Sequence, residues 1–262
     1  MKLFDVHTHV FPSTLAQQAI PVMARRSGLR PVGDGTVEDL LRALPTQGRA
    51  LLAPVATRAG QHASINVWTA QVAREHPQLI AFGALHAHDP EPYNILKELK
   101  DQGINGVKLH PDYQGVNVDD PLMDPIWQAL VKLDMMAVVH SGLDHGYPPP
   151  YKARPEQLAS VINRFPGIKL ILAHMGGFCM WHAVERHLAG LPVWLDMSFV
   201  VGVMPQEQCA RLIRRHGADK VLFGSDWPWG SIDAHVEYLK SLGLSVAEEE
   251  QILFRNAEEL LL

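Results

Sequence analysis

An apolar run ending in His-x-His, Leu3-Phe4-Asp5-Val6-His7-Thr8-His9, holds the residues with the clearest chemistry in this chain. Side chains two apart on a strand share a face. His7 and His9 can therefore offer two neutral imidazole nitrogens to one divalent metal, with Phe4 and Val6 on the neighbouring face. Alone, the pattern is weak, because a histidine pair near a strand end is as readily satisfied by ordinary packing. Three further apolar runs end in the same way, at His140 after Met136, at His174 after Leu170 and at Asp226 after Val221. Near-continuous aliphatic residues are the mark of strands covered on both faces, and nearby glycines leave the chain room to turn. Four such endings, all carrying His or Asp, point to a metal held where buried strands stop.

Positioning those residues requires a regular scaffold. Additional apolar runs at 49–55, 79–85, 105–110 and 193–198 bring the expected strands to eight. Helix-like stretches at 36–44, 65–76, 91–102, 121–133, 155–165, 205–216 and 234–242 alternate with them. In the stretch from Pro121, Asp119 or Asp120 can cap the helix, and Leu122, Ile126, Leu130 and Leu133 form one apolar stripe for the core. A strand-to-strand spacing of about 30 residues is one βα unit, and eight units close a parallel (β/α)8 TIM barrel. One α/β domain over 1–262 accounts for the whole chain. The segment 10–48 exceeds one crossover and is expected to place two helices, 13–26 and 36–44, and a Gly/Pro-rich loop over part of the barrel mouth. A doubly wound open sheet is the rival architecture, but no G-x-G-x-x-G follows any early strand.

Composition fits a compact enzyme: 262 residues, 47% of them hydrophobic, are enough for a large core. With a net charge of -5 and basic residues scattered among acidic ones, neither a nucleic acid nor an anionic membrane is an expected partner. The chain runs from Met1 straight into a strand and has no apolar stretch of membrane-spanning length, so a cytoplasmic location is expected. Cys179 and Cys209 are too few for a disulfide framework, and Cys179 reads as a buried, inert thiol.

Taken in order, these motifs resemble the amidohydrolase superfamily, specifically the amidohydrolase-related branch typified by aminocarboxymuconate semialdehyde decarboxylase. The resemblance spans nearly the whole chain. It rests on Asp5-Val6-His7-Thr8-His9, Gly106-Val107-Lys108-Leu109-His110-Pro111, Val139-His140-Ser141-Gly142, Ala173-His174-Met175-Gly176-Gly177, Phe223-Gly224-Ser225-Asp226-Trp227-Pro228 and the closing Ile252-Leu253-Phe254-Arg255-Asn256-Ala257. It implies His7, His9, His140, His174 and Asp226 as metal ligands, with Asp226 also accepting a proton from a metal-bound water. Imidazoles and a carboxylate suit Zn²⁺, with Mn²⁺ or another divalent ion also accommodated. Asp226 could instead cap the following helix.

Lys108 has two readings. In other branches of the superfamily a fourth-strand lysine is carboxylated and bridges two ions, whereas the decarboxylase-like branch generally uses one. With one ion, Lys108 stays an ammonium that polarises a carbonyl or holds a substrate carboxylate. His110 shares its face and can assist, or be satisfied by a backbone carbonyl. Tyr113, Trp227 and Trp229 offer flat walls to an unsaturated or aromatic acid, although packing beneath the loops explains them nearly as well. Asp144, His145 and Tyr147 lie in the loop after the fifth expected strand, which Pro148-Pro149-Pro150 stiffens, with His145 a candidate substrate contact. His86 and His88 after the third strand are also candidates, although solvated loop histidines are the commoner case, and His182 and His187 fall on a helix without assigned chemistry.

The leading expectation is a metal-dependent hydrolase in which metal-bound hydroxide, formed with Asp226 as base, attacks a small ester, lactone or amide. The alternative is a non-oxidative decarboxylase or hydratase of a small unsaturated or aromatic carboxylic acid, with Lys108 or His110 holding the carboxylate and Asp226 moving a proton. A non-catalytic barrel with a structural metal stands outside both. A homo-oligomer is compatible with any of them.

Overall fold

The computed structural model describes residues 1–262. Its strands are β1 (Lys2–Thr8), β2 (Gln47–Leu52), β3 (Leu79–Ala81), β4 (Gly83–Ala84), β5 (Gly106–Leu109), β6 (Met136–Val139), β7 (Lys169–Leu172), β8 (Trp194–Asp196) and β9 (Val221–Leu222). All pair in parallel, in the order β1-β2-β3 and β4 through β9. The ring closes between the last strand and the first, where Val6 N–H donates to Phe223 O at 2.9 Å, Asp226 N–H to His7 O at 2.9 Å and His9 N–H to Trp227 O at 2.7 Å. The result is the expected (β/α)8 barrel. The expected third strand is divided into β3 and β4 at Phe82, which is why the strands number nine. Phe82 turns its ring into the barrel over Gly106, where any Cβ would lie 2.4 Å from that ring.

Two hydrophobic layers follow from strand alternation. Phe4, Val6, Leu51, Phe82, Met136, Val138, Ile171 and Leu222 fill the barrel's lower interior, and Ala257 and Phe254 of the C-terminal segment pack against them. Outward residues such as Leu3, Leu52, Val107, Leu109, Ala137, Val139, Leu170, Leu172 and Leu195 join the larger layer under the helices. With the lower interior occupied, polar groups are left only the upper rim, at the C-terminal ends of the strands.

Two helix readings change. Pro121–Met123 is a 3-10 turn leading into the α-helix Asp124–Lys132. At three residues per turn, it swings Leu122 outward, 42% exposed, and buries Met123, so the inward stripe is Met123, Ile126, Trp127 and Leu130. Asp120, not Asp119, caps that turn by accepting from Leu122 N–H at 2.9 Å. Cys179 is exposed rather than buried: it occupies a left-handed turn (φ 57°) directly after Phe178, which takes the inward position. His86 is buried, its own backbone N–H and that of Gly60 both tied to Asp89, whereas His88 is exposed as expected.

The long first connection does cover the mouth. Its helices span Ser13–Ser27 and Val37–Ala43, the second capped by Thr36, whose hydroxyl accepts from Asp39 N–H at 3.2 Å. The loop between them lies on the Asp226 turn: Val32 N–H donates to Pro228 O at 2.8 Å, and Gly33 sits so close to Trp227 that a Cβ would meet its ring at 2.2 Å. From the same connection Arg26 donates through Nε to Gly146 O at 3.0 Å and lies over the Tyr147 ring, 4.0 Å from its centroid. No helix of the chain is long and apolar enough to cross a membrane.

Candidate metal centre

The end of β1 departs from simple alternation. Its pairing with β2 shifts register between Asp5 and Thr8, and this irregularity lets His7 turn into the barrel above Val6. Hydrogen-bond accounting then fixes each imidazole. Asp196 Oδ2 lies 2.9 Å from His7 Nδ1 and Ala53 O lies 2.8 Å from His9 Nδ1. Carboxylates and carbonyls only accept, so both Nδ1 atoms carry the proton and both Nε2 atoms are bare lone pairs. Burial, followed by the Lys108 charge, lowers His7 to about 4, which keeps the ring neutral.

Asp226 meets these lone pairs. Its Oδ1 stands 3.2 Å from His9 Nε2 and 3.5 Å from His7 Nε2. Its carboxyl faces the Lys108 ammonium, whose charge favours the ionised form. His7 Nε2 also faces the Lys108 ammonium, but the unprotonated His9 Nε2 and the ionised oxygen repel one another unless a cation lies between them. The separations also suit neighbouring ligands, each about 2.0–2.2 Å from one ion. Imidazole and carboxylate are the donors zinc and manganese accept, so the residues fit a divalent metal. Asp226 does not cap the following helix, since Ser231 does so through Ala234 N–H at 3.3 Å.

The other two histidines extend the same polarity. His174 Nδ1 donates to Ser198 O at 3.1 Å, so its Nε2 accepts from His140 Nδ1, also at 3.1 Å. His140 Nε2 is therefore bare, buried and without a partner. Of the five expected ligands, His7, His9 and Asp226 meet at one point, while His174 and His140 line up beside them, with His7 and His174 ring centroids 5.2 Å apart.

Two further clusters of His and Asp do not hold metal in this arrangement. In His7, His174 and Asp196 the nitrogens involved already carry protons. His110 accepts from Tyr113 N–H at Nδ1 (3.4 Å), which places its proton on Nε2, 3.3 Å from Asp144 Oδ2. Its ring lies parallel to that of His140, with centroids 4.0 Å apart and planes at 7°, so the two nitrogens do not converge. His110 is thus satisfied by a backbone N–H and a carboxylate, not by a backbone carbonyl.

Lys108 is the inward residue of β5 and only 1% exposed. Its Nζ lies 2.8 Å from His7 Nε2. Burial lowers the ammonium to about 8, opposed by the Asp196 and Asp226 charges.

The mouth is walled by flat groups. Tyr113 stacks on His110 with centroids 3.8 Å apart, and Tyr147 lies 5.2 Å beyond under Arg26. His145 is at the rim, packed on Phe178 at 5.3 Å. Trp227 is buried beneath Gly33 with its Nε1 unpartnered. Trp229 closes the turn through its backbone N–H to Asp226 O at 2.7 Å.

Asp196, Ser198 and Asp5 escape the sequence reading. Asp196 accepts from His7 Nδ1, His174 N–H, Ser198 N–H and the Ser198 hydroxyl. Those donors outweigh burial and hold its carboxyl well below the usual range. It ends an apolar run, Val193-Trp194-Leu195-Asp196, in the same way as the expected ligands, and that was the available signal. Asp5 Oδ1 accepts from both His7 N–H (3.1 Å) and Ser225 N–H (3.0 Å), tying together the two strand ends that carry His7 and Asp226.

Comparison with known proteins agrees with this architecture. The amidohydrolase family model matches residues 4–262. Gamma-resorcylate decarboxylase of Rhizobium radiobacter is 24% identical over 265 residues, covering 84% of this chain and 79% of that protein. Among solved structures, an uncharacterised TIM-barrel protein from Bordetella bronchiseptica aligns with TM-score 0.78 and 20% identity, over 100% of this chain and 98% of the other. A dihydroxybenzoic acid decarboxylase from Polaromonas sp. JS666, with bound manganese and the inhibitor 2-nitroresorcinol, aligns with TM-score 0.71 and 19% identity, over 99% and 96%. With a family model matched from the first strand to the last helix, this chain belongs to the amidohydrolase family.

Proposed function

We propose that the protein is a divalent-metal-dependent decarboxylase of a small aromatic carboxylic acid. The observation that carries this reading is the bare His9 Nε2 facing Asp226 Oδ1 at 3.2 Å, in a mouth that also holds the stacked rings of Tyr113, His110 and His140. His7, His9 and Asp226 would hold the ion, while the hydrogen-bonded chain from His140 through His174 to Ser198 lies beside it. Once bound, the ion supplies a Lewis acid for the acid's oxygens. The decarboxylases among the relatives favour loss of CO2 over the hydrolysis that leads the sequence expectation. Manganese, found in one of them, is the first ion to try, with zinc as the alternative.

The chain's own groups account for binding and proton movement. Tyr113 over His110 offers a flat face for an aromatic ring. His110, its Nε2–H held by Asp144, keeps that face in place. Loss of CO2 leaves the ring carbon needing one proton, and ionised Asp226 takes that proton from a substrate hydroxyl, leaving it as a phenolate, and returns it to the carbon. Trp227 and the loop containing Gly33 shield this side from bulk water.

The test is a panel of ortho-hydroxybenzoic acids, including gamma-resorcylate, run beside aryl esters and lactones on chelator-stripped and manganese-restored protein. Metal-dependent conversion of an acid to the corresponding phenol is expected. Hydrolysis of the esters or lactones without conversion of any acid would overturn the proposal.

A further inference from the structure

The cation nearest the proposed ligands belongs to the protein itself. Lys108 Nζ lies 2.8 Å from His7 Nε2, and that contact is its one hydrogen bond within the chain. His7 Nδ1 is committed to Asp196, so Nε2 holds the ring's only free lone pair. One lone pair serves either an ammonium N–H or a metal ion. Lys108 has little freedom to share the position, since its stem rises from β5 among fully buried neighbours and its charge faces the Asp196 and Asp226 carboxylates.

We infer that Lys108 is a built-in competitor of the metal: its ammonium holds the carboxylates and His7 in place, and a divalent ion enters only by displacing it from His7 Nε2. The inference rests on the metal reading given above and adds a property to it. Repulsion between an ammonium and a divalent ion at this range is strong in a dry site, so Lys108 weakens metal binding and makes the site release its ion readily. A neutral side chain of similar length removes the competition. A carboxylated Lys108 would act in the opposite sense, as a ligand whose removal costs affinity.

The experiment is equilibrium binding of Mn²⁺ and Zn²⁺, by competition with a chromophoric chelator, to chelator-stripped wild type, Lys108→Met and Lys108→Gln. Thermal unfolding is recorded with and without metal. Both variants are expected to bind at least about tenfold more tightly than wild type, and to melt lower than wild type without metal but no lower with it. Either variant suffices if the other does not fold. Equal or weaker binding by the folded variants overturns the inference, and weaker binding identifies Lys108 as part of the ligand set. No binding by wild type or variants removes the metal reading itself, an outcome distinct from a change in their order.

Discussion

His7 Nδ1 and Asp196 Oδ2 stand 2.9 Å apart across the barrel, both essentially closed to solvent. Because the carboxylate can only accept, this single contact determines which imidazole nitrogen faces the reaction. Asp196→Asn keeps the shape but removes the charge that would stabilise His7 as a metal ligand in the proposed site. Metal affinity should fall about 10- to 100-fold while the far-ultraviolet circular dichroism stays unchanged. Unaltered affinity in a chelator titration would show that the contact only supports the fold.

The buried histidines set the pH response. Burial lowers His7, His86, His110, His140, His216 and His235, so the fold holds them neutral. Unfolded, they titrate near 6.5. Their contribution to stability is present above about pH 6.5 and lost as pH falls. Asp5 and Asp112, pushed up by burial to about 7 and about 6, act in the opposite sense, but they are outnumbered. Unfolding near pH 5.5 therefore takes up protons, each contributing about 1.4 kcal/mol per pH unit. The urea midpoint of chelator-treated protein should rise from pH 4.5 to 6.5, and a flat or falling midpoint would contradict this balance.

Gly142 lies between the strand ends that carry His140 and His174, at φ +88°. A Cβ there would lie 2.2 Å from the Phe178 backbone nitrogen, an atom that cannot step aside. Gly142→Ala should cost more than about 3 kcal/mol, combining the left-handed strain with backbone displacement. Chemical denaturation measures it, and a loss below about 1 kcal/mol would mean that the two loops part easily.

Arg26 ties the first connection to the loop after β6 through Gly146 O and the Tyr147 ring. An exposed cation-π contact is worth about 0.5–1 kcal/mol, and a hydrogen bond adds a similar amount. Arg26→Ala should raise KM for the aromatic acid about three- to tenfold and leave kcat within about twofold. A fall in kcat at unchanged KM would place Arg26 in the chemistry instead.

The barrel was legible because strands covered on both faces must be apolar throughout, and Met136 to Val139 or Leu170 to Leu172 fit no other element as well. The two strand ends that close the ring were legible for the same reason, since His7, His9 and Asp226 interrupt apolar runs where the core stops. Other features were set by tertiary contacts. The break at Phe82 depends on Gly106 opposite it, and the outward turn of Leu122 depends on a 3-10 start that the helical stripe does not encode. The separation of His140 from the His7 group follows from hydrogen-bond direction, which passes from His140 through His174 to Ser198 and leaves no trace in residue spacing. Asp196 carried a sequence signal, but the chain offered it as one more strand-ending acid without saying which nitrogen it would bind.

The most direct test of the whole account is release of ¹³CO2 from carboxyl-labelled gamma-resorcylate by the manganese-loaded protein, with His9→Ala and Asp226→Asn measured beside it. Labelled CO2 and resorcinol should form in equal amounts with wild type and fall at least about 100-fold in both variants, within the range of a lost proton-transfer or metal-site group. Release undiminished in the two variants, or absent from metal-loaded wild type across the hydroxybenzoic acids, would contradict it.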